Sequence, residues 1–175
     1  MIPPAIDGEQ LLEDLEVLAQ FGASAAGGLR RIAYSLADME ARRWVEARMR
    51  EVGLVVTTDA VGNSLGRYPG TDPILPPIAL GSHTDTVPDG GRFDGALGVL
   101  SALACVEALC QAGVRLRHPV EVINFAAEEA TMSSGTFGSR AMSGALNAAA
   151  LEQAAWDGRP VMVHLQEAGL DPIEP

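Results

Sequence analysis

The 175-residue sequence has no lysine: all twelve basic residues are arginine, and they stand against 23 aspartates and glutamates, a net charge of -11. A chain this acidic, with no basic run, repels nucleic acid and anionic membrane surfaces, so neither is expected as a partner. Long apolar runs are missing as well. Nothing approaches the roughly 18 consecutive apolar residues of a membrane span. The N-terminus has acidic residues within a turn or two and no apolar stretch of signal length. Cysteine is scarce. Cys105 and Cys110 lie five apart in a segment that reads as helix, hence on different faces, which suits neither a disulfide nor a metal site. Reduced core cysteines in a cytoplasmic protein are the expectation. Internal repeats and low-complexity tracts are also lacking, apart from alanine enrichment between Ala145 and Ala155. What remains is 47% hydrophobic and 20% charged, enough for one domain with a real core.

Along the chain, strand and helix signals alternate. Asp7 to Phe21 carries Leu11, Leu12, Leu15 and Leu18 at helical spacing and stops at Gly22, an amphipathic surface helix. Gly22 to Arg31 is small and glycine-rich, a loop. Ser35 with Asp38 resembles a capping box for a helix running to about Val52. Leu54–Thr58 and Ser64–Tyr68 read as a hairpin around Asp59–Asn63, and Pro69–Pro77 as a connector. Ile78–Ser82 reads as a buried strand that delivers His83 at its carboxyl end, Ala96–Ala112 as a helix apolar nearly all round, and Val120–Phe125 as the strand that delivers Glu128 and Glu129. Short helices follow from Gly138, the last entered at Pro160, carrying His164 and ended at Gly169. The alternation predicts an α/β fold with helices packed on a central sheet. It also puts the chemistry-bearing residues beyond the carboxyl ends of strands, where open α/β sheets build their sites.

Those residues have the composition of a paired-metal site. His83 and Asp85 flank a single residue, so on an extended chain both side chains point to one side, and the Asp85 carboxylate can accept a hydrogen bond from the imidazole nitrogen not bound to metal. Asp94 follows a glycine-rich turn and precedes an apolar helix, and a carboxylate held there can bridge two divalent ions through its two oxygens. Two ions about 3.5 to 4 Å apart polarise a carbonyl and activate a water between them. Of Glu128 and Glu129, one can be a ligand and its neighbour a general base, since adjacent residues at a strand end point different ways. The bland readings are a plain turn for Asp94-Gly95, a solvated loop for the glutamate pair, a surface charge for Arg140, and mutual pairing for Asp89 and Arg92 in one turn. The apolar approach Val122-Ile-Asn-Phe-Ala-Ala127 favours a cleft over a solvated loop.

The runs Gly53-Leu-Val-Val-Thr-Thr-Asp59, Gly62-Asn63, Gly81-Ser-His-Thr-Asp-Thr-Val-Pro88, Gly90-Gly-Arg-Phe-Asp-Gly-Ala-Leu-Gly-Val99, Glu128-Glu129 and Gly138-Ser-Arg140, in this order, resemble the M20-type metallohydrolases. Within them they are most similar to the amidase, hydantoinase and carbamoylase branch, which includes N-carbamoyl-amino-acid hydrolases, beta-ureidopropionase and allantoate amidohydrolase. The resemblance implies a zinc-peptidase-like catalytic domain, with residues 1–175 as its N-terminal part. His83 would bind the first metal, Asp94 bridge, Glu129 bind the second, Glu128 act as general base and Asp85 orient His83. The metals would be zinc, with manganese or cobalt able to serve. The substrate would be a small carbamoyl or ureido amino acid.

Two departures from the pattern stand out. After Glu129 the branch often has a small residue followed by Arg-Phe, whereas this chain reads Ala130-Thr-Met-Ser-Ser-Gly-Thr-Phe137. Relatives also continue through a lid and dimerisation domain, as homodimers, and return with one more ligand histidine for each metal; these segments have no counterpart in 175 residues. His164 is the residue to weigh as a substitute, and its place in a short helix argues against it. Competing expectations are therefore an M20 aminoacylase or dipeptidase, and a truncated module that folds without catalysing. A further expectation carried by the resemblance is a cis peptide between Asp94 and Gly95.

Overall fold

Asp7 caps the first helix, its carboxylate accepting from the N–H groups of Glu9 and Gln10. Helix α1 covers Gly8–Leu18, ending three residues before the predicted Phe21, and buries Leu15 and Leu18. A computed structural model describes residues 4–25 and 27–172, so the segment before Pro4 and Ala26 of the glycine-rich loop lie outside the described residues. Helix α2, Leu36–Val52, begins where the Ser35 hydroxyl accepts from Asp38 N–H and ends at Gly53. The capping box is modified: the Asp38 carboxylate reaches back to Tyr34 N–H.

The hairpin β1 (Val55–Thr58) and β2 (Ser64–Tyr68) follows, then β3 (Ile78–His83), helix α3 (Ala96–Gln111) and β4 (Val120–Phe125). They form a four-stranded sheet in the order β1-β2-β4-β3, with β4 antiparallel to β2 and parallel to β3. A parallel pair needs a crossover, and α3 supplies it. Helices α1, α2 and α3 meet in one apolar cluster that includes Leu18, Val45, Met49, Val99, Leu103 and Val122. A second cluster, with Ile32, Val61, Met132, Phe137 and Leu165, brings in helices α4 (Phe137–Met142) and α5 (Val161–Glu167) and a short 3-10 helix, Ala148–Glu152. Cys105 and Cys110 are both free. No helix among the described residues is long and apolar enough to cross a membrane.

Strand β3 departs from its sequence reading. It is the outer strand of the sheet, and Ile78 and Leu80 are 44% and 37% exposed. An apolar run such as Ile78-Ala-Leu suits a strand covered on both faces, but among the described residues only β4 flanks it.

Candidate metal centre

Because β3 and β4 are parallel and in register at His83 and Phe125, their carboxyl ends open at one edge of the sheet. His83 closes β3. After Phe125 the chain turns through Ala127, at a positive φ of 49°, and presents Glu128 and Glu129. One donor atom from each of His83, Glu128 and Glu129 lies within 4.8 Å of the others. The turn is fastened from below: Asn63 accepts from Ala126 N–H at 2.8 Å and donates to Asp59 and to the Gly138 carbonyl. A β-carbon on Gly138 would strike the Asn63 amide and the Ala126 backbone, which explains why glycine opens the Gly138-Ser-Arg140 run.

The His83 ring is oriented through Nδ1, which lies 3.0 Å from the carbonyl oxygen of Asp85 and, since that oxygen can only accept, donates to it; Nε2 faces the cluster, 3.4 Å from a Glu128 carboxylate oxygen. The expected role of Asp85 is thereby corrected. Its backbone carbonyl orients His83, while its carboxylate, 3.6 Å from Nδ1, accepts instead from the N–H groups of Glu128 and Glu129 at 3.2 and 3.1 Å. The extended geometry did place His83 and Asp85 together. Two free N–H groups at the end of β4 nevertheless outcompete a ring already served by a carbonyl. Burial, with Asp38 adding to it, pushes the Asp85 carboxyl up to about 6, opposed by Arg42 and His83.

Glu129 is also held above the usual carboxylate range, first by burial and then by the negative charges of Asp94 and Glu128, with His83 pulling the other way. Asp94 thus borders the cluster electrostatically, although it is exposed and stands outside the three-residue group. It is brought there by a tight reversal. Ala96 N–H donates to the Asp94 carbonyl at 2.6 Å, an i to i+2 bond that defines a γ-turn, and Gly95 sits at φ 64° and ψ -50°. Among the described residues there are no cis peptides, so the expected cis bond at Asp94-Gly95 is corrected. Glycine at positive φ makes the reversal with a trans peptide. A β-carbon on Gly95 would lie 2.6 Å from His83 Nδ1, so the turn packs directly on the imidazole.

Under this edge lies a buried polar layer that the sequence reading missed. Arg42 is paired with Asp38 at 3.1 Å and donates to the carbonyls of Gly62 and Phe125. Arg31, read as the end of a loop, is fully buried and donates to the carbonyls of Thr84, Leu18 and Phe21. The signal was present in α2, where Asp38 and Arg42 occupy the same buried stripe as Ala41, Val45 and Met49. Charged residues on an apolar stripe must be paired.

The remaining candidates lie elsewhere. His164 is buried, with Nε2 3.0 Å from Asp157, and takes no part in the cluster. Arg140 donates to Ser134. Arg92 pairs with Glu16 of α1 at 2.9 Å rather than with Asp89. The glycine-rich loop is tied to the segment leading to Asp94 by reciprocal bonds between Leu29 and Gly90.

Residues 79–171, which include β3 from its second residue, the γ-turn and both glutamates, match Peptidase family M20/M25/M40. The chain belongs to this family. Among M20 relatives, an N-carbamoyl-L-amino acid amidohydrolase of Geobacillus stearothermophilus is 41% identical over 168 residues, 95% of this chain and 41% of that protein. A ureidoglycolate hydrolase of Oryza sativa subsp. japonica is 38% identical, over 81% of this chain and 30% of that protein. The crystal structure of a hydantoinase/carbamoylase family amidase from Burkholderia ambifaria superposes with a TM-score of 0.90 at 37% identity, covering 95% of this chain and 41% of that one. The chain thus spans about two-fifths of the length of the Geobacillus and Burkholderia relatives.

Proposed function

We propose that the M20 protein to which these residues belong hydrolyses a carbamoyl or ureido C–N bond of a small amino-acid-like substrate, in the cytoplasm, with two divalent metal ions. The observation that carries the reading is the meeting of His83, Glu128 and Glu129, with His83 Nδ1 engaged by the Asp85 carbonyl and Nε2 facing the two carboxylates. Half-buried carboxylates beside an imidazole are the donor set that suits zinc, and also manganese or cobalt. In the proposed assignment His83, Asp94 and Glu129 would hold the ions. Such ions supply Lewis acidity and a lowered pKa for water at the scissile carbonyl. Glu128 takes the proton of the attacking water and delivers it to the departing nitrogen. Asp85 holds the Glu128 and Glu129 amides and, through its carbonyl, the ring of His83. On this reading residues 1–175 are the N-terminal part of one catalytic domain, completed by other parts of a longer, homodimeric polypeptide. The activities of the relatives support the carbamoyl or ureido substrate class over acyl or peptide bonds.

The test is ammonia release from N-carbamoyl amino acids by the longer polypeptide, against acyl-amino acids and dipeptides as rival substrates. Glu128→Gln is expected to lower turnover by roughly 10²- to 10⁴-fold with metal content kept, and Asp94→Asn to lose metal. Equal metal loss in both variants would overturn the assignment of base and bridge.

A further inference from the structure

A cavity of about 550 Å³ lies apart from the metal cluster, bounded by the start of α2, the segment before it, Trp156 and helix α5. Its volume is that of a small-molecule site. In a chain of net charge -11, it is lined by Arg30, Arg43 and Arg159, with His164, against one acidic residue, Glu167. Arg159 is consumed by Asp157 and Glu167, each at 2.7 Å. Arg30 and Arg43 are not ion-paired among the described residues, and the Arg30 guanidinium lies over the Trp156 ring at 5.4 Å. Leu36 and Ala37, at the start of a 17-residue helix, line the same space, and their backbone N–H groups have no acceptor within their own helix. Beside this positive rim the wall is apolar, with Leu36 and Trp156 73% and 51% exposed. Large exposed apolar side chains next to unpaired guanidiniums form a combination that water satisfies poorly on the apolar side and an anion satisfies well on the other.

We propose that this cavity is a binding site for a small organic carboxylate with a flat apolar body, its carboxylate taken by Arg43 and Arg30 and its body laid against Trp156 and Leu36. The site is separate from the metal cluster and shares no residue with it. Two free guanidiniums favour a single negative charge held by paired N–H donors, and the apolar wall selects an organic anion over an inorganic one.

Phenylacetate, with the neutral isostere phenylacetamide and inorganic phosphate as controls, tests this by ¹H–¹⁵N NMR titration of the 175-residue chain. The readout is the Trp156 indole N–H, assigned with a Trp156→Phe variant. Phenylacetate is expected to bind with a dissociation constant of about 1 mM or tighter, and each control at least about tenfold more weakly. Arg43→Gln and Arg30→Gln, both at exposed side chains outside the core, are each expected to weaken phenylacetate by about tenfold. His83→Asn is expected to leave its affinity unchanged. Equal affinity for phenylacetate and phenylacetamide, indifference to both arginine substitutions, phosphate binding as tight as phenylacetate, or no shift of Trp156 would each overturn the proposal. Weakening by His83→Asn would assign the ligand to the metal cluster instead.

Discussion

Gly95→Ala is the substitution in which local conformation and site geometry coincide. At φ 64° and ψ -50° an L side chain is strained by about 1–3 kcal/mol. Its β-carbon would also lie 2.5 Å from the His83 carbonyl oxygen and 2.6 Å from the ring, where the obstruction includes backbone as well as a side chain that cannot simply swing away. Relieving such overpacking costs a further 1–3 kcal/mol or so. The sum, roughly 2–6 kcal/mol, is a large part of the stability of an ordinary domain. Taking about 3 kcal/mol, the melting temperature should fall by roughly 6–12 °C for a chain of this length. The control is Gly91→Ala in the same loop, where a β-carbon meets nothing within 4 Å, and a change within about 0.5 kcal/mol is expected. Urea denaturation of both variants gives the stability difference, and the His83 Cε1–H resonance reports whether the ring has moved. If Gly95→Ala unfolds at the same midpoint as Gly91→Ala and leaves the His83 resonance in place, the γ-turn does not set the position of the imidazole.

Three other outcomes are expected. Arg42→Ala should destabilise by about 3–5 kcal/mol, because Asp38 is left buried beside an empty site; Arg42→Met with Asp38→Leu should recover part of that in urea denaturation, and a double variant no better than the single would refute the pairing argument. The isolated chain should bind zinc weakly in a calorimetric titration and release negligible ammonia from N-carbamoyl amino acids, since on the proposed assignment His83, Asp94 and Glu129 would give each ion two protein ligands where catalytic zinc has three; tight binding would show that another residue completes the site. The Asp157 carboxyl, held below the usual range chiefly by its hydrogen bond from Arg159, should titrate low by ¹³C NMR and move upward in Arg159→Gln. A depressed folded-state pKa means that this contribution to stability is present above about 3.8 and is lost as the pH falls through the lower folded value. An ordinary titration of Asp157 in the parent chain would remove the contribution altogether.

The sequence by itself determined the element order, the α/β class and the identity of the residues that gather at the sheet edge. Those follow from local rules: periodicity set α2 and α3, caps at Ser35 and Pro160 set the starts of α2 and α5, and the hairpin signal at Asp59–Asn63 set β1 and β2. Motif spacing was enough to single out His83, Glu128 and Glu129 because each closes or follows a strand, and parallel neighbours end at the same edge. Tertiary structure alone decided what depends on contacts between distant segments. It gave the Asp85 carboxylate to the amides of residues 43 and 44 positions away, buried Arg31 beneath Thr84, and set the Asp94 reversal against the His83 ring. It also decided that β3 is an exposed edge, since strand order is a matter of which neighbours arrive and the apolar content of Ile78–Leu80 is the same in either place. The physical reason is common to all four. A hydrogen-bonding group takes whichever partner the fold brings to it, and a local pattern records only that a partner is needed.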